Sequence, residues 1–345
     1  MARTHSLRLA AAVVGVAALA GCSAIGSDEP SPSASSDTVT LVTHDSFALS
    51  EGILADFEEQ TGLTVDVVQP GDGGTLVNQL VLTKDAPLGD LVFGIDNTFA
   101  SRAVDEGVVA PTTTDVEGVF EDALVPIDYG DVCINVDHTW FAAKSLAEPV
   151  TLEDLTKPEY KDLLVVPNAV TSSPGLSFLL ATVGAFGADG WQDYWSALRD
   201  NGVKVADGWS DAYYTDFSGG GADGPRPIVL SYASSPPYTV PEGGTAPTTG
   251  ALLDTCFRQT EYAGVLAGAA NPTGAQQLLD FLRTDEVQND IPLSMYMYPA
   301  SETATLPAEW AAFAPLATDP FEVDPADITE NREAWLTEWS DTVIG

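Results

Sequence analysis

The chain has 345 residues, with 13 Lys and Arg against 51 Asp and Glu, three Cys and three His. That length fits two domains of about 100–200 residues each, and a 45% hydrophobic content is enough to pack a core, which excludes a largely disordered protein. A net charge of −38 leaves no clustered Lys and Arg for phosphate neutralisation, so nucleic acid is not an expected partner, and so few His cannot build a multi-histidine metal site.

The amino terminus reads as an address. Arg3 and Arg8 precede the apolar run Leu9–Ala20, too short for a comfortable membrane span. The run closes on Leu19-Ala20-Gly21-Cys22, which resembles the bacterial lipobox, where cleavage precedes the Cys and its thiol receives lipid. Residues 1–21 are therefore expected to be a lipoprotein signal peptide and Cys22 the lipid anchor. Loss of Arg3 and Arg8 leaves 11 basic residues and a charge of 11 − 51 = −40. Residues 22–37, rich in Ser, Pro and acids, form the expected tether to the outer face of the cytoplasmic membrane.

Strand and helix signals then alternate. Thr38–Thr43 is short and β-branched, Ile53–Phe57 continues a helical spacing that Gly62 ends, and Leu63–Val68 alternates as a strand. Leu76–Leu82 reads as a helix, Asp90–Gly94 as a strand, and the region around Thr98–Glu106 as a helix. The rhythm resumes with a strand at Leu163–Val166, helices at Leu176–Phe186 and Trp191–Arg199, and strands at Val203–Ala206 and Ile228–Tyr232. Two such units predict an α/β protein of two lobes with a cleft between them. The expected lobes are 38–128 plus 257–298 and 129–256 plus 299–345, joined through strands near Tyr129–Val136 and Phe257–Ala263 and a third crossing near Tyr298. Trp335 and Trp339, at i and i+4, predict a closing helix with an aromatic face on the core. Cys133 and Cys256 lie in strand-like runs of an exported chain, where oxidation is permitted, and are expected to pair rather than remain as two buried thiols.

Ligand sites in open α/β sheets lie where strands lead into helices, and four such loops hold candidate chemistry. Thr43-His-Asp-Ser-Phe47 follows the first strand; its consecutive His, Asp and Ser cannot face one another as a triad requires, and Asp45 or Ser46 also suits a helix cap. Gly71-Asp-Gly-Gly-Thr75 has glycines that admit a ligand to the backbone and the negative charge of Asp72, but lacks the Lys of a P-loop. Thr171-Ser-Ser-Pro-Gly175 is a helix start with Ser172 or Ser173 as cap, a place whose free N–H groups attract anions. The fourth group is aromatic: Trp209, Tyr232 and Tyr238 lie in Ser-, Gly- and Pro-rich sequence that no core periodicity explains. Several rings with a carboxylate make a box for a flat organic cation, at about 0.5–2 kcal/mol per cation–π contact.

These residues fall in an ordered series: His44-Asp-Ser-Phe47, Asp72-Gly73, Gly94-Ile-Asp-Asn97, Pro126-Ile-Asp-Tyr-Gly130, Ser172-Ser-Pro-Gly175, Gly208-Trp-Ser-Asp-Ala-Tyr213, Ser231-Tyr232 with Ser235-Pro236 and Tyr238, Met297-Tyr-Pro299 and Arg332–Trp339. Across essentially the whole mature chain, the series resembles the thiamine-binding proteins of bacterial ABC importers. The resemblance implies a periplasmic-binding-protein-like, type II solute-binding fold that closes on thiamine, in some members on its phosphates, and delivers it to a permease driven by an ATPase. It implies a monomer without cofactor or catalysis, and ligand contacts at Asp72, Gly73, Ser172, Trp209, Tyr232 and Tyr238. The family often has Tyr where this chain has His44, and often lacks the Cys133 and Cys256 pair. The alternatives are a ferric-ion binder, for which Tyr213-Tyr214 is suggestive, a binder of another organic cation, and a serine hydrolase using Ser46, Ser172 or Ser173 with His44 or His138, although no GxSxG elbow is present.

Overall fold

The computed structural model describes residues 37–345. The signal peptide, the lipidation site Cys22 and nearly all of the tether lie outside the described residues. Strand β1 (Thr38–Thr43) leads to α1 (Ile53–Thr61), β2 (Thr64–Val68), α2 (Gly73–Leu82), β3 (Leu91–Asp96) and α3 (Ala100–Asp105). After a long connection come β4 (Val125–Asp137), α4 (His138–Lys144), β5 (Leu164–Pro167), α5 (Ser173–Phe186), α6 (Trp191–Asp200) and β6 (Lys204–Ala206). A π-helical turn, Asp211–Asp216, precedes β7 (Ile228–Tyr232) and the 17-residue β8 (Thr249–Val265). The chain ends with α7 (Pro272–Leu282), α8 (Asp285–Ser294), β9 (Tyr298–Pro299), α9 (Trp310–Phe313) and α10 (Pro325–Val343).

Local chemistry accounts for the boundaries. Gly62, at φ 74, closes α1 by donating its N–H to the Glu58 carbonyl, a left-handed conformation that glycine adopts without a Cβ clash. Asp72 caps α2 and Ser172 caps α5, where Pro174 needs no hydrogen-bond partner for its nitrogen. Helix α5 is apolar on nearly every side because it is buried from Ser173 to Val183, against β8, β4, β7 and β5 on one side and α6 on the other.

The strand order is β2-β1-β3-β8-β4-β7-β5-β6, with β9 paired to β4. Each end is a parallel triad, β2-β1-β3 and β7-β5-β6, as the alternating signals predict. The centre is antiparallel. Long β4 and β8 pair with each other, while Glu261–Val265 of β8 also pairs with β3 and Val132–Val136 of β4 with β7. Two α/β halves are thus sewn together by strands they share. Helix α10 packs on α6 of the second half, with Trp339 fully buried edge-on to Trp195 at 5.5 Å and Trp335 partly buried beside it.

Cys133 and Cys256 form a disulfide between the shared strands, across 123 residues of sequence. It sits where the β4–β8 register jumps from Val132↔Phe257 to Ile134↔Leu252, so that residues 253–256 bulge from the ladder. Thr255 Oγ1 accepts from the Ile134 N–H at 3.0 Å, replacing the ladder bond lost there.

Candidate ligand-binding cleft

A cavity of about 300 Å³ opens at the carboxyl ends of β1, β2 and β7, between the starts of α2 and α5. Six of the seven residues expected to contact ligand line it: His44, Asp72, Gly73, Trp209, Tyr232 and Tyr238. The seventh, Ser172, does not. Its hydroxyl is fully buried and turned back to cap α5 at the Gly175 N–H, and the cleft is faced instead by Ser173. Ser172 is thus the cap that the helix-start signal left open between two adjacent serines.

The two halves meet at Asp72. Its Oδ1 accepts from the Gly73 N–H at 2.6 Å and the Ser173 N–H at 3.2 Å, and its Oδ2 accepts from the Trp209 N–H at 2.8 Å. The first donor belongs to its own helix; the other two come from the half built on β5 and β7. Close backbone approach requires glycine here: a Cβ on Gly73 would lie 2.0 Å from Ser173 Oγ, and one on Gly74 2.7 Å from the Thr171 backbone.

The opposite wall is aromatic. Trp209 stacks on Tyr213 with ring centres 5.1 Å apart and planes 18° apart, and stands edge-on to Tyr214 and Tyr232. Its indole N–H donates to Ser231 Oγ at 3.0 Å, which fixes the ring. Tyr238, 46% exposed, stands edge-on to Tyr296 at 5.6 Å. Tyr296 takes the left-handed conformation at φ 57, which is rare for an aromatic residue and turns the chain at the mouth of the cleft. Burial pushes the phenols of Tyr213, Tyr214 and Tyr232 above their ordinary range, so they present ring faces and neutral hydroxyls at neutral pH.

The floor is acidic. His44 Nε2 lies 3.6 Å from Glu261 Oε2. Burial works to strip the imidazole of its proton, but Glu261, with Asp72 and Asp45 beyond it, outweighs burial and holds the His44 pKa above its ordinary value. Burial would likewise raise Glu261; the facing His44 and the hydrogen bond from Gln259 bring it below the usual carboxylate range. Asp96 behind it is fully buried, and its pKa is pushed up to about 6 by that burial against the hydrogen bond from the Thr98 N–H. Among the described residues, no Lys or Arg lines the cavity.

Of the other residues weighed for chemistry, Ser46, Tyr213 and Tyr214 also line the cavity. His138 pairs with Glu148 at 2.8 Å, half-exposed, and His44 faces a carboxylate. Among the described residues, no cluster of three His, Cys, Asp or Glu has metal-binding geometry. Tyr213 is packed against Phe217 and Trp209. Glu261 and Tyr296 were not expected from sequence, and Ser173 was weighed there only as a helix cap or a nucleophile. A Glu inside a strand carries no local signal, whereas Met297-Tyr-Pro299 already marked the neighbourhood of Tyr296.

A cleft between two lobes that share strands, walled by rings on one side and acids on the other, is the arrangement of a solute-binding protein. The chain belongs to the bacterial extracellular solute-binding protein family, which matches residues 86–319. Within that class it is 31% identical to the thiamine-binding periplasmic protein of Escherichia coli (strain K12), over 88% of this chain and 93% of that one. A solved periplasmic thiamin binding protein superposes with TM-score 0.79 at 28% identity, covering 89% of this chain and 96% of its own. Iron-bound HitA from Pseudomonas aeruginosa shares the fold at TM-score 0.70 and 19% identity, over 88% of this chain and 99% of its own.

Proposed function

We propose that the protein captures thiamine, or a thiamine phosphate, by closure of its two lobes and delivers it to the permease and ATPase of an ABC importer. The observation that carries this reading is the pairing of Trp209, stacked and hydrogen-bonded in place, with the acids across the cavity. Thiamine offers a flat, permanently positive thiazolium to the rings and an aminopyrimidine to hydrogen-bonding groups. The relatives that match nearly the whole chain carry the same ligand in their names. In this reading the lobes are 38–128 plus 257–298 and 129–256 plus 299–345, the protein acts as a monomer, no covalent step takes place, and Cys22 carries a lipid that holds it at the outer face of the membrane.

Titration of tether-free protein with thiamine, its monophosphate and its diphosphate, followed by tryptophan fluorescence and calorimetry, tests the reading. Saturable one-to-one binding of at least one form supports it; no uptake of any form overturns it. The ferric-ion alternative has a shared fold behind it and is met in the same experiment: iron loading would colour the protein through tyrosinate charge transfer. Competition against thiamine separates the remaining alternative, another organic cation.

A further inference from the structure

Glu261 lines the cavity from β8 and is 5% exposed. In the sheet register it lies between Asp96 of β3 and Asp128 of β4, so three carboxyl groups form a row where the two halves join. Two adjacent buried carboxylates cannot both ionise. Asp128 is fully buried, and that burial beside Glu261 pushes its pKa well above the ordinary carboxylate range. Gln259 donates to Glu261 Oε1 at 2.9 Å. What remains for Oε2 is His44 Nε2 at 3.6 Å, longer than a good hydrogen bond, and that nitrogen has no hydrogen-bond partner among the described residues.

The charged groups that act on His44 are all acids, and its other ring neighbour is Phe93, with centroids 5.6 Å apart. Glu261 on β8, Asp72 at the start of α2 and Asp45 on its own loop act on the imidazole directly, while Asp96 on β3, Asp128 on β4 and Tyr232 on β7 act on Glu261 behind it. The ring is also confined, since a Cβ on Gly94 would come within 2.2 Å of its Cδ2.

Resting on the thiamine reading of the cleft, we propose that Glu261 is the counter-charge for the ligand and that protonated His44 balances it in the empty cleft, so that the cation enters as a proton leaves. A thiazolium near Glu261 would place two positive charges side by side in a poorly screened site. The imidazolium is the one that can be discharged, by release of its N–H proton to water. Glu261 is what holds that proton against burial, and a ligand that neutralises Glu261 withdraws the support. By linkage, thiamine's association constant rises with pH by up to tenfold per pH unit, between the His44 pKa in the complex and in the free protein.

Calorimetry with thiamine between pH 6 and 8, in buffers of different ionisation heat, reads both affinity and proton release. The wild type is expected to release up to one proton per thiamine at the acid end and to bind more tightly as pH rises. His44→Asn should lose that release, keeping only the small contribution of thiamine's own aminopyrimidine. Glu261→Gln should bind at least tenfold more weakly at pH 8 and release no proton; if it fails to fold, the wild type and His44→Asn decide the matter. Tight binding without proton release, or equal release from His44→Asn, overturns the inference and leaves the thiamine reading standing. No binding of thiamine at any pH overturns the thiamine reading itself.

Discussion

Asp72 should matter less as a ligand for the cation than as the latch that joins the two halves. Both of its oxygens are occupied, and two of its three donors, the N–H groups of Ser173 and Trp209, come from across the seam. A hydrogen bond to a charged group contributes about 1.5–3 kcal/mol net when buried. Two would favour the closed arrangement by about 3–6 kcal/mol, and replacement by water on opening reduces this to about 2–4 kcal/mol. Since apparent affinity scales with the population of the competent state, Asp72→Ala should weaken thiamine binding by about 30- to 1000-fold. Asp72→Asn keeps one acceptor and should lose less. The loss of the α2 cap lowers stability by only about 1 kcal/mol, so the variant should remain folded. Calorimetry gives the affinity, and small-angle scattering of the ligand-free protein should show a larger radius in the Ala variant. A folded Asp72→Ala that binds within threefold of wild type, with unchanged radius, would refute the latch.

Trp209→Ala removes a ring stacked on Tyr213 and should cost about 5- to 30-fold in thiamine affinity by titration, while Trp209→Phe, which keeps a π face, should recover part of it. Cys133→Ser opens a covalent link spanning 123 residues, and urea unfolding should show a loss of about 2–5 kcal/mol that a reductant reproduces in the wild type. Asp96 has a folded pKa raised to about 6, so the native state binds more protons than the unfolded chain between about pH 4 and 6. Its stabilising contribution is therefore present below that window and lost as pH rises through it, by about 3 kcal/mol. Asp96→Asn should remove this component: the variant's stability relative to wild type should be higher at pH 7.5 than at pH 4.5, as read by urea midpoints.

Local signals in the chain carried the secondary structure well. The β-branched run Thr38–Thr43 is a strand with those ends, and Ile228–Tyr232 likewise. The Ser-Ser-Pro start gave α5 its beginning, three residues before the first apolar residue of the expected helix. The rings Trp209, Tyr232 and Tyr238 stood out because Gly, Ser and Pro around them remove any reason of core periodicity, and all three line the cleft. Glu261 was invisible for the opposite reason. It sits in a strand whose neighbours are ordinary strand residues, and its meaning depends on Asp96 and Asp128 standing beside it in the sheet.

Sequence alone determined what each segment is: apolar spacing reports which face of a helix or strand can be buried, and Gly, Pro and capping residues report where it must stop. Tertiary structure decided what the segments do together. Asp72 meets the Trp209 N–H across 137 positions, and Glu261 meets His44 across 217 (261 − 44). Electrostatic coupling depends on distance in space and on the water that burial removes, and neither quantity is written in the spacing of residues along a chain.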